Sequence, residues 1–255
     1  MLSNLSVLDV LLATYATPKM IHDFLHEPKI ISFEGCMAQI FLLHVFAGGE
    51  MVLLVAMAYD RYVAICKPLH YAAIMNLCKC TGLVVASWVI GVLHSLSQLA
   101  FTLNLPFCGP NIVDSYYCDL TLVIKLACTD TYIPEVLMLL DSGLMGVTSF
   151  LLLLISYTVI LLTVRRHSSA GMAKARSTLT AHITVVTLFF GPCIFIYVWP
   201  FGNFPVDKVI SVFSTVFTPI LNPIIYTLRN KEVKFAMYKL KTQYVKPKRP
   251  FLFHS

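Results

Sequence analysis

Long apolar runs, broken by short polar and often basic stretches, make up most of this chain. The runs do not alternate. Ser149–Val164 reads SFLLLLISYTVILLTV, whereas a barrel strand in lipid would alternate apolar and polar residues over about ten positions. A chain in lipid must satisfy its own backbone hydrogen bonds, so continuous runs predict helices. A span takes about 20 mostly apolar residues. Six are expected, roughly Met1–Tyr15, Cys36–Ala58, Thr81–Phe101, Glu135–Val164, Thr180–Trp199 and Lys208–Leu228. The first is short. The last contains Pro219 and Pro223, which membrane helices accommodate as kinks. No internal repeat, low-complexity tract or linker divides the sequence, so 1–255 reads as a single transmembrane domain with a basic tail over 229–255. In the tail segment RNKEVKFAMYKL, Val233, Phe235, Ala236, Met237 and Leu240 recur at helical spacing between lysines. That pattern predicts a short amphipathic helix lying on the inner leaflet.

Composition removes the soluble alternatives. The chain is 58% hydrophobic and 13% charged, with a mean hydropathy of +0.77. A soluble domain carries roughly 25% charged residues. The net charge of +6 gains meaning from its placement. Lys19, Lys29, Lys125 and Lys208 fall in one alternating set of loops, and every other Lys and Arg falls in the opposite set or the tail. Cytoplasmic loops carry the Lys and Arg excess, so both ends are expected inside the cell. Topology and attraction to anionic lipid account for the basic charge, and nucleic acid is not an expected partner. No cleavable signal peptide is expected, because no basic segment precedes Leu2–Ala13 and Asp9 interrupts it. The amino end reads as a helix joined partway. Cys36, Cys108, Cys118 and Cys128 lie in or beside loops of the outer face and are disulfide candidates. Cys66, Cys78, Cys80 and Cys193 read as free thiols.

Several motifs carry chemistry. Met57–Cys66, MAYDRYVAIC, ends the second span on the cytoplasmic side. An Asp60–Arg61 ion pair there holds the arginine until a partner offers a better contact, which is a switch mechanism. Thr218–Asn230 reads TPILNPIIYTLRN. Pro223 removes a backbone donor, Asn222 can bond freed carbonyls or water, and Tyr226 is placed to swing toward the cytoplasmic cavity. Asp9 and Glu50 are acids inside apolar spans, and intramembrane charge is costly enough to be functional by default. Enzyme signatures are absent: no Gly-rich phosphate loop, no HExxH and no cysteine pairs at zinc spacing. The chain is therefore not expected to be an enzyme.

Beside these motifs stand Leu2–Asp9 (LSNLSVLD), Pro18–Met20 (PKM), Ser156–Tyr157, Lys174–Val186 (KARSTLTAHITVV) and the long loop Phe107–Thr131 (FCGPNIVDSYYCDLTLVIKLACTDT). In this order they resemble the olfactory receptor family of rhodopsin-like G-protein-coupled receptors, over essentially the whole chain. The resemblance implies an all-α membrane protein: a rhodopsin-like seven-helix bundle with about six helices present, plus the short amphipathic C-terminal helix. Met1 falls where the family's second helix is under way, so the first transmembrane helix is expected to be missing. Two smaller departures are Phe190, where many members carry Tyr, and Leu179, where Cys is usual.

What the resemblance implies for individual residues is specific. It implies disulfides Cys36–Cys118 and Cys108–Cys128. It places Asp9 and Glu50 at a core site that holds sodium or water in related receptors. Two readings stay open there: the carboxylates share a cation or proton, or one is protonated and bonded to Asn222. No other metal and no cofactor is expected. The ligand pocket is implied at Leu43, His44, Ala47, Gly48, Met138, Asp141, Ser142, Phe190, Cys193, Ile194, Tyr197, Val212 and Thr215. Asp141 is expected to pair with His44 or to anchor a polar ligand group. Coupling and switching are implied at Asp60, Arg61, Tyr62, Tyr157, His182, Asn222, Pro223 and Tyr226. The implied function is binding of a small volatile organic odorant and activation of a stimulatory heterotrimeric G protein at the plasma membrane. The alternatives are a non-signalling fragment retained in the endoplasmic reticulum and, further off, a transporter or channel lined by Asp9, Glu50 and Asp141.

Overall fold

Three of the helices begin where a polar side chain caps an apolar run. Ser32 Oγ accepts the Gly35 N–H at 3.0 Å, Asn76 Oδ1 accepts that of Lys79 at 2.9 Å, and Asp119 Oδ1 accepts that of Thr121 at 2.9 Å. Each satisfies an amide that the first helical turn leaves unpaired. The structure is a computed structural model, and it describes residues 1–109, 111–165, 169–198, 209–210, 212–229, 235, 238, 239 and 242. Among these, α1 spans Leu2–Leu25, α2 Phe33–Cys66, α3 Tyr71–Ile74, α4 Leu77–Leu103, α5 Leu120–Ile124, α6 Tyr132–Arg165, α7 Ser169–Val198 and α8 Thr218–Arg229. A 3₁₀ turn, Pro68–His70, precedes α3, and a π-helical turn, Phe213–Phe217, leads into α8.

The helices outrun the apolar segments that predict them. α1 continues past Tyr15 and through Pro18 to Leu25. An ion pair between Lys19 and Asp23, one turn apart, supports its last turns. Three helices are long and apolar enough to cross a membrane among the described residues: Phe33–Cys66, Leu77–Leu103 and Tyr132–Val164. His182–Ile194 and Phe213–Ile225 are shorter apolar stretches. The expected amphipathic tail helix lies mostly outside the described residues.

The bundle is assembled around α2, which packs against α1, α3, α4, α6 and α7. Its neighbour α4 is built inside out. The buried residues of α4 are Ser87, Gly91, Ser95, Gln98 and Thr102, whereas Val85, Val89, Leu93 and Leu96 stand exposed. The small side chains let two backbones approach closely, and the apolar ones meet hydrocarbon. A Cβ on Gly91 would lie 2.6 Å from the Val45 carbonyl oxygen and 2.7 Å from the Gly49 nitrogen. Ser95 Oγ donates across the same seam to the Phe41 carbonyl. α6 likewise exposes Leu140, Leu144 and Val147 while burying Leu153, Tyr157 and Ile160. An apolar exterior around a small, partly polar interface is the arrangement of a multi-pass membrane protein.

The end of the bundle opposite Asp60 and Arg61, the outer end in the expected orientation, is closed by the loop between α4 and α6. Cys36 is bonded to Cys118 and Cys108 to Cys128, with Cα separations of 5.5 and 5.8 Å. Cys118 N–H donates to Gln39 Oε1 at 2.9 Å, and Phe107 bridges Ala127 in antiparallel fashion. α5 then sets Leu120, Val123 and Ile124 into a cluster with Cys36, Met37, Ile40 and Met138.

Candidate functional site

At the C-terminal end of α2, Asp60 is buried and Arg61 half-buried. Arg61 Nη2 lies 3.1 Å from Asp60 Oδ2, and the Tyr71 hydroxyl donates to Asp60 Oδ1 at 2.9 Å. The carboxylate is thus held on both oxygens, by its neighbour in sequence and by the loop after α2. Burial, with the bond donated to Asp60, pushes the Tyr71 phenol above its usual range. Nearby, the Tyr157 hydroxyl bonds His182 Nδ1 between α6 and α7, and both side chains are buried. Ser156 Oγ donates to the Ala58 carbonyl at 3.2 Å, tying α6 to α2 at the start of the motif. Tyr62 packs half-buried against the core.

Deeper in the bundle, Asn222 joins three helices. Its Nδ2 donates to Asp9 Oδ1 on α1 and to Glu50 Oε1 on α2, both at 2.9 Å. All three side chains are at most 1% exposed. Asp9 Oδ2 and Asn222 Oδ1 are buried acceptors without a hydrogen-bond donor among the described residues. Two carboxyl groups served by one amide, with acceptors to spare, fit a cation or a proton, since bare buried charge is expensive. Pro223 follows inside α8. The side chains of Tyr226 and Tyr197 lie outside the described residues.

In the outer half, Asp141 meets α4. Ser97 Oγ and Gln98 Nε2 each donate to Asp141 Oδ2 at 2.7 Å, and His94 Nδ1 lies 3.2 Å from the same oxygen. Gln98 Nε2 also donates to Ser142 Oγ at 2.9 Å. The side chains at the Asp141 carboxyl are therefore Ser97, Gln98 and His94 rather than His44. The His44 Nδ1 bonds the Ile40 carbonyl of its own helix at 2.8 Å, and its ring stands 6.0 Å from that of His94. Leu43 and Phe190 belong to the main hydrophobic cluster, and Cys193 packs against it. Met138 belongs to the outer cluster beneath α5. Gly48 faces Gly91 and His94, so it sets the α2–α4 seam. Ala47, Val212 and Thr215 are half-buried, and Ile194 is exposed. A cavity of about 590 Å³ opens above these residues, lined by Lys19, Asp23, Phe24, Ile31, Gln39 and Tyr116 among others. Among the described residues, none of those implied for ligand lines it.

Three polar assemblies at three depths of one α-helical bundle accompany a sequence that matches a family model described as "Olfactory receptor" over residues 1–243. The chain is 68% identical over 247 residues to human olfactory receptor 4K15, covering 97% of this chain and 76% of that protein. It is 64% identical to human olfactory receptor 4K3 over 98% of this chain and 79% of that relative. Human olfactory receptor 4K14 is 65% identical, over 96% and 79%. This chain belongs to the olfactory receptor family.

For an olfactory receptor, the sequence singled out Asp60, Arg61, Asp9, Glu50 and Asp141; the structure has the expected Asp60–Arg61 pair and Asn222 at the two acids, and adds partners the motifs do not name for Asp60 and Asp141. Tyr71 is eleven residues from Asp60, at the start of α3, in a stretch without a recognisable signal. His94, Ser97 and Gln98 do leave a signal. Their i, i+3, i+4 spacing puts three polar groups on one face of an apolar span, which marks an intramembrane polar site.

Proposed function

We propose that this olfactory receptor binds a small volatile organic odorant in the outer half of the bundle and activates a heterotrimeric G protein of the stimulatory olfactory type. Residues 1–255 act as one receptor domain in the plasma membrane, with the basic loops and C-terminus in the cytoplasm. The observation that carries the reading is the clasp at the end of α2, where Asp60 is held by both Arg61 and Tyr71. Such a clasp keeps Arg61 from a partner until the bundle repacks. The odorant binds the repacked bundle more tightly, and a coupling of about 1–3 kcal/mol suffices to shift the balance. Tyr157 and His182 join α6 to α7 at the same depth and part when α7 moves outward.

The polar anchor for ligand is Asp141. His94, Ser97 and Gln98 all converge on Oδ2, leaving Oδ1 without a hydrogen bond among the described residues. An odorant carrying a hydroxyl or amine has a partner there, within walls of Leu43, His44, Ala47, Met138, Phe190, Cys193 and Ile194, with Val212 and Thr215 beside them. A mostly apolar pocket with few polar anchors suits small volatile ligands.

The test uses cells supplied with the stimulatory G protein, an epitope in the loop between α4 and α6, and a broad odorant panel. The expected result is staining of unpermeabilised cells and odorant-driven nucleotide exchange that Arg61→Ala abolishes. Asp141→Asn should raise the half-effective concentration of donor-bearing agonists about tenfold, the worth of one hydrogen bond. Staining confined to the cell interior, or surface delivery without exchange for any odorant, would overturn signalling by this chain. An Asp141→Asn profile identical to wild type would remove the anchor.

A further inference from the structure

We propose that His22, in the last turn of α1, and His26, the residue that follows the helix, chelate one divalent transition-metal ion of the copper, nickel or zinc class. The two residues are one helical turn apart, so their side chains share a face. Their rings already stack, with centroids 4.7 Å apart and planes 18° from parallel. The lone pairs of nearly parallel rings do not converge, so chelation turns the rings about their side-chain bonds until both Nε2 atoms face one ion.

The hydrogen bonds fix which nitrogen each ring offers. His26 Nδ1 lies 3.2 Å from the His22 carbonyl oxygen, which only accepts. His22 Nδ1 lies 3.3 Å from Asp23 Oδ1, a carboxylate that also accepts. Each Nδ1 therefore carries the proton, and in the neutral rings each Nε2 keeps its lone pair. Neither Nε2 has a hydrogen-bond partner among the described residues. A carboxylate or carbonyl behind the distal nitrogen is the usual support of a metal-bound histidine. Asp23 is itself anchored through its pair with Lys19.

The donor set names the ion. Two imidazoles favour copper, nickel and zinc over magnesium and calcium, which prefer oxygen. No three His, Cys, Asp or Glu converge on one point among the described residues, so the protein supplies two ligands and water completes the shell. The His22 side chain is 60% exposed, which leaves room for that water. The pair adjoins Asp23 and Phe24, two residues that line the outer cavity.

The experiment uses the untagged full chain in lipid nanodiscs, stripped with a chelator, titrated with Ni²⁺ by calorimetry and loaded with one equivalent of Cu²⁺ for electron paramagnetic resonance. The expected result is one Ni²⁺ per chain and a Cu²⁺ spectrum split by two nitrogens. His22→Ala and His26→Ala should each weaken binding tenfold or more, because the second ligand then no longer adds intramolecularly. Asp23→Asn should weaken it less, and His70→Ala on the opposite face should leave it unchanged. Wild-type affinity retained in both His22→Ala and His26→Ala overturns the proposal, as does a wild-type chain that binds neither ion. All four positions are exposed or partly exposed at helix ends, so folding is preserved, and the two disulfides report it directly.

Discussion

Arg61 is held through a carboxylate, and a single phenol decides how firmly that carboxylate is fixed. Asp60 receives the Tyr71 hydroxyl on one oxygen and Arg61 on the other. A hydrogen bond to a charged group contributes about 1.5–3 kcal/mol, more than a solvated ion pair usually does. Tyr71→Phe removes only the hydroxyl. Its expected effect is a rise of up to about tenfold in odorant-independent nucleotide exchange, since about 1.4 kcal/mol is a factor of ten. Basal exchange equal to wild type at matched surface density would show that the ion pair alone holds the switch. Asp141 teaches a related lesson. Its acid is legible as a costly intramembrane charge, but its partner had to be seen, because His44 turns back to its own helix.

Among the elements, α4 reverses the soluble rule of apolar inside and polar outside. Its buried face is Ser87, Gly91, Ser95, Gln98 and Thr102, and Gly91 sits against the backbone of α2. A methyl group there meets the Val45 carbonyl oxygen at 2.6 Å, a contact that backbone cannot relieve cheaply. Gly91→Ala should therefore destabilise the receptor by about 1–3 kcal/mol, the usual cost of overpacking. Gly82→Ala, on the same helix with nothing within 4 Å of the added carbon, is the control and should be neutral or slightly stabilising. Thermal midpoints of the two purified variants decide the matter. Equal midpoints would mean that the α2–α4 seam yields freely. The π-helical turn before α8 is an element the sequence did not announce. There Thr218 Oγ1 reaches both the Phe213 carbonyl at 3.2 Å and the Leu188 carbonyl at 3.4 Å. Widened turns of this kind tend to appear at functional places in helices.

On the scale of the whole molecule, Asn222 draws together α1, α2 and α8 through two acids that lie 41 positions apart in sequence, Asp9 and Glu50. We infer that a sodium ion is the natural companion of this group, because Asp9 Oδ2 and Asn222 Oδ1 remain without donors among the described residues. Anything bound only by the folded state raises its stability. The melting temperature of the purified receptor should therefore be higher in sodium chloride than in choline chloride at equal ionic strength. Asp9→Asn should erase that difference. An unchanged sodium response in Asp9→Asn would assign the stabilisation elsewhere, and no response in wild type would leave a shared proton as the account of the pair.

What the sequence by itself determined follows from solvent and spacing. Non-alternating apolar runs in lipid have helices as their solution, and a costly acid inside a span marks a polar centre. These are local properties, readable wherever a window of residues meets a uniform medium. The tertiary structure alone decided the partners Tyr71 for Asp60 and His94 with Ser97 and Gln98 for Asp141, and it decided that Asn222, already a candidate in the sequence, serves both acids at once. It also decided that α1 runs on to Leu25 and presents stacked His22 and His26 at its end. The physical reason is that a hydrogen bond needs two groups within about 3 Å in the right orientation. For residues on different helices, that distance depends on how the helices rotate and cross, and the close approach at Gly91 is part of what sets it.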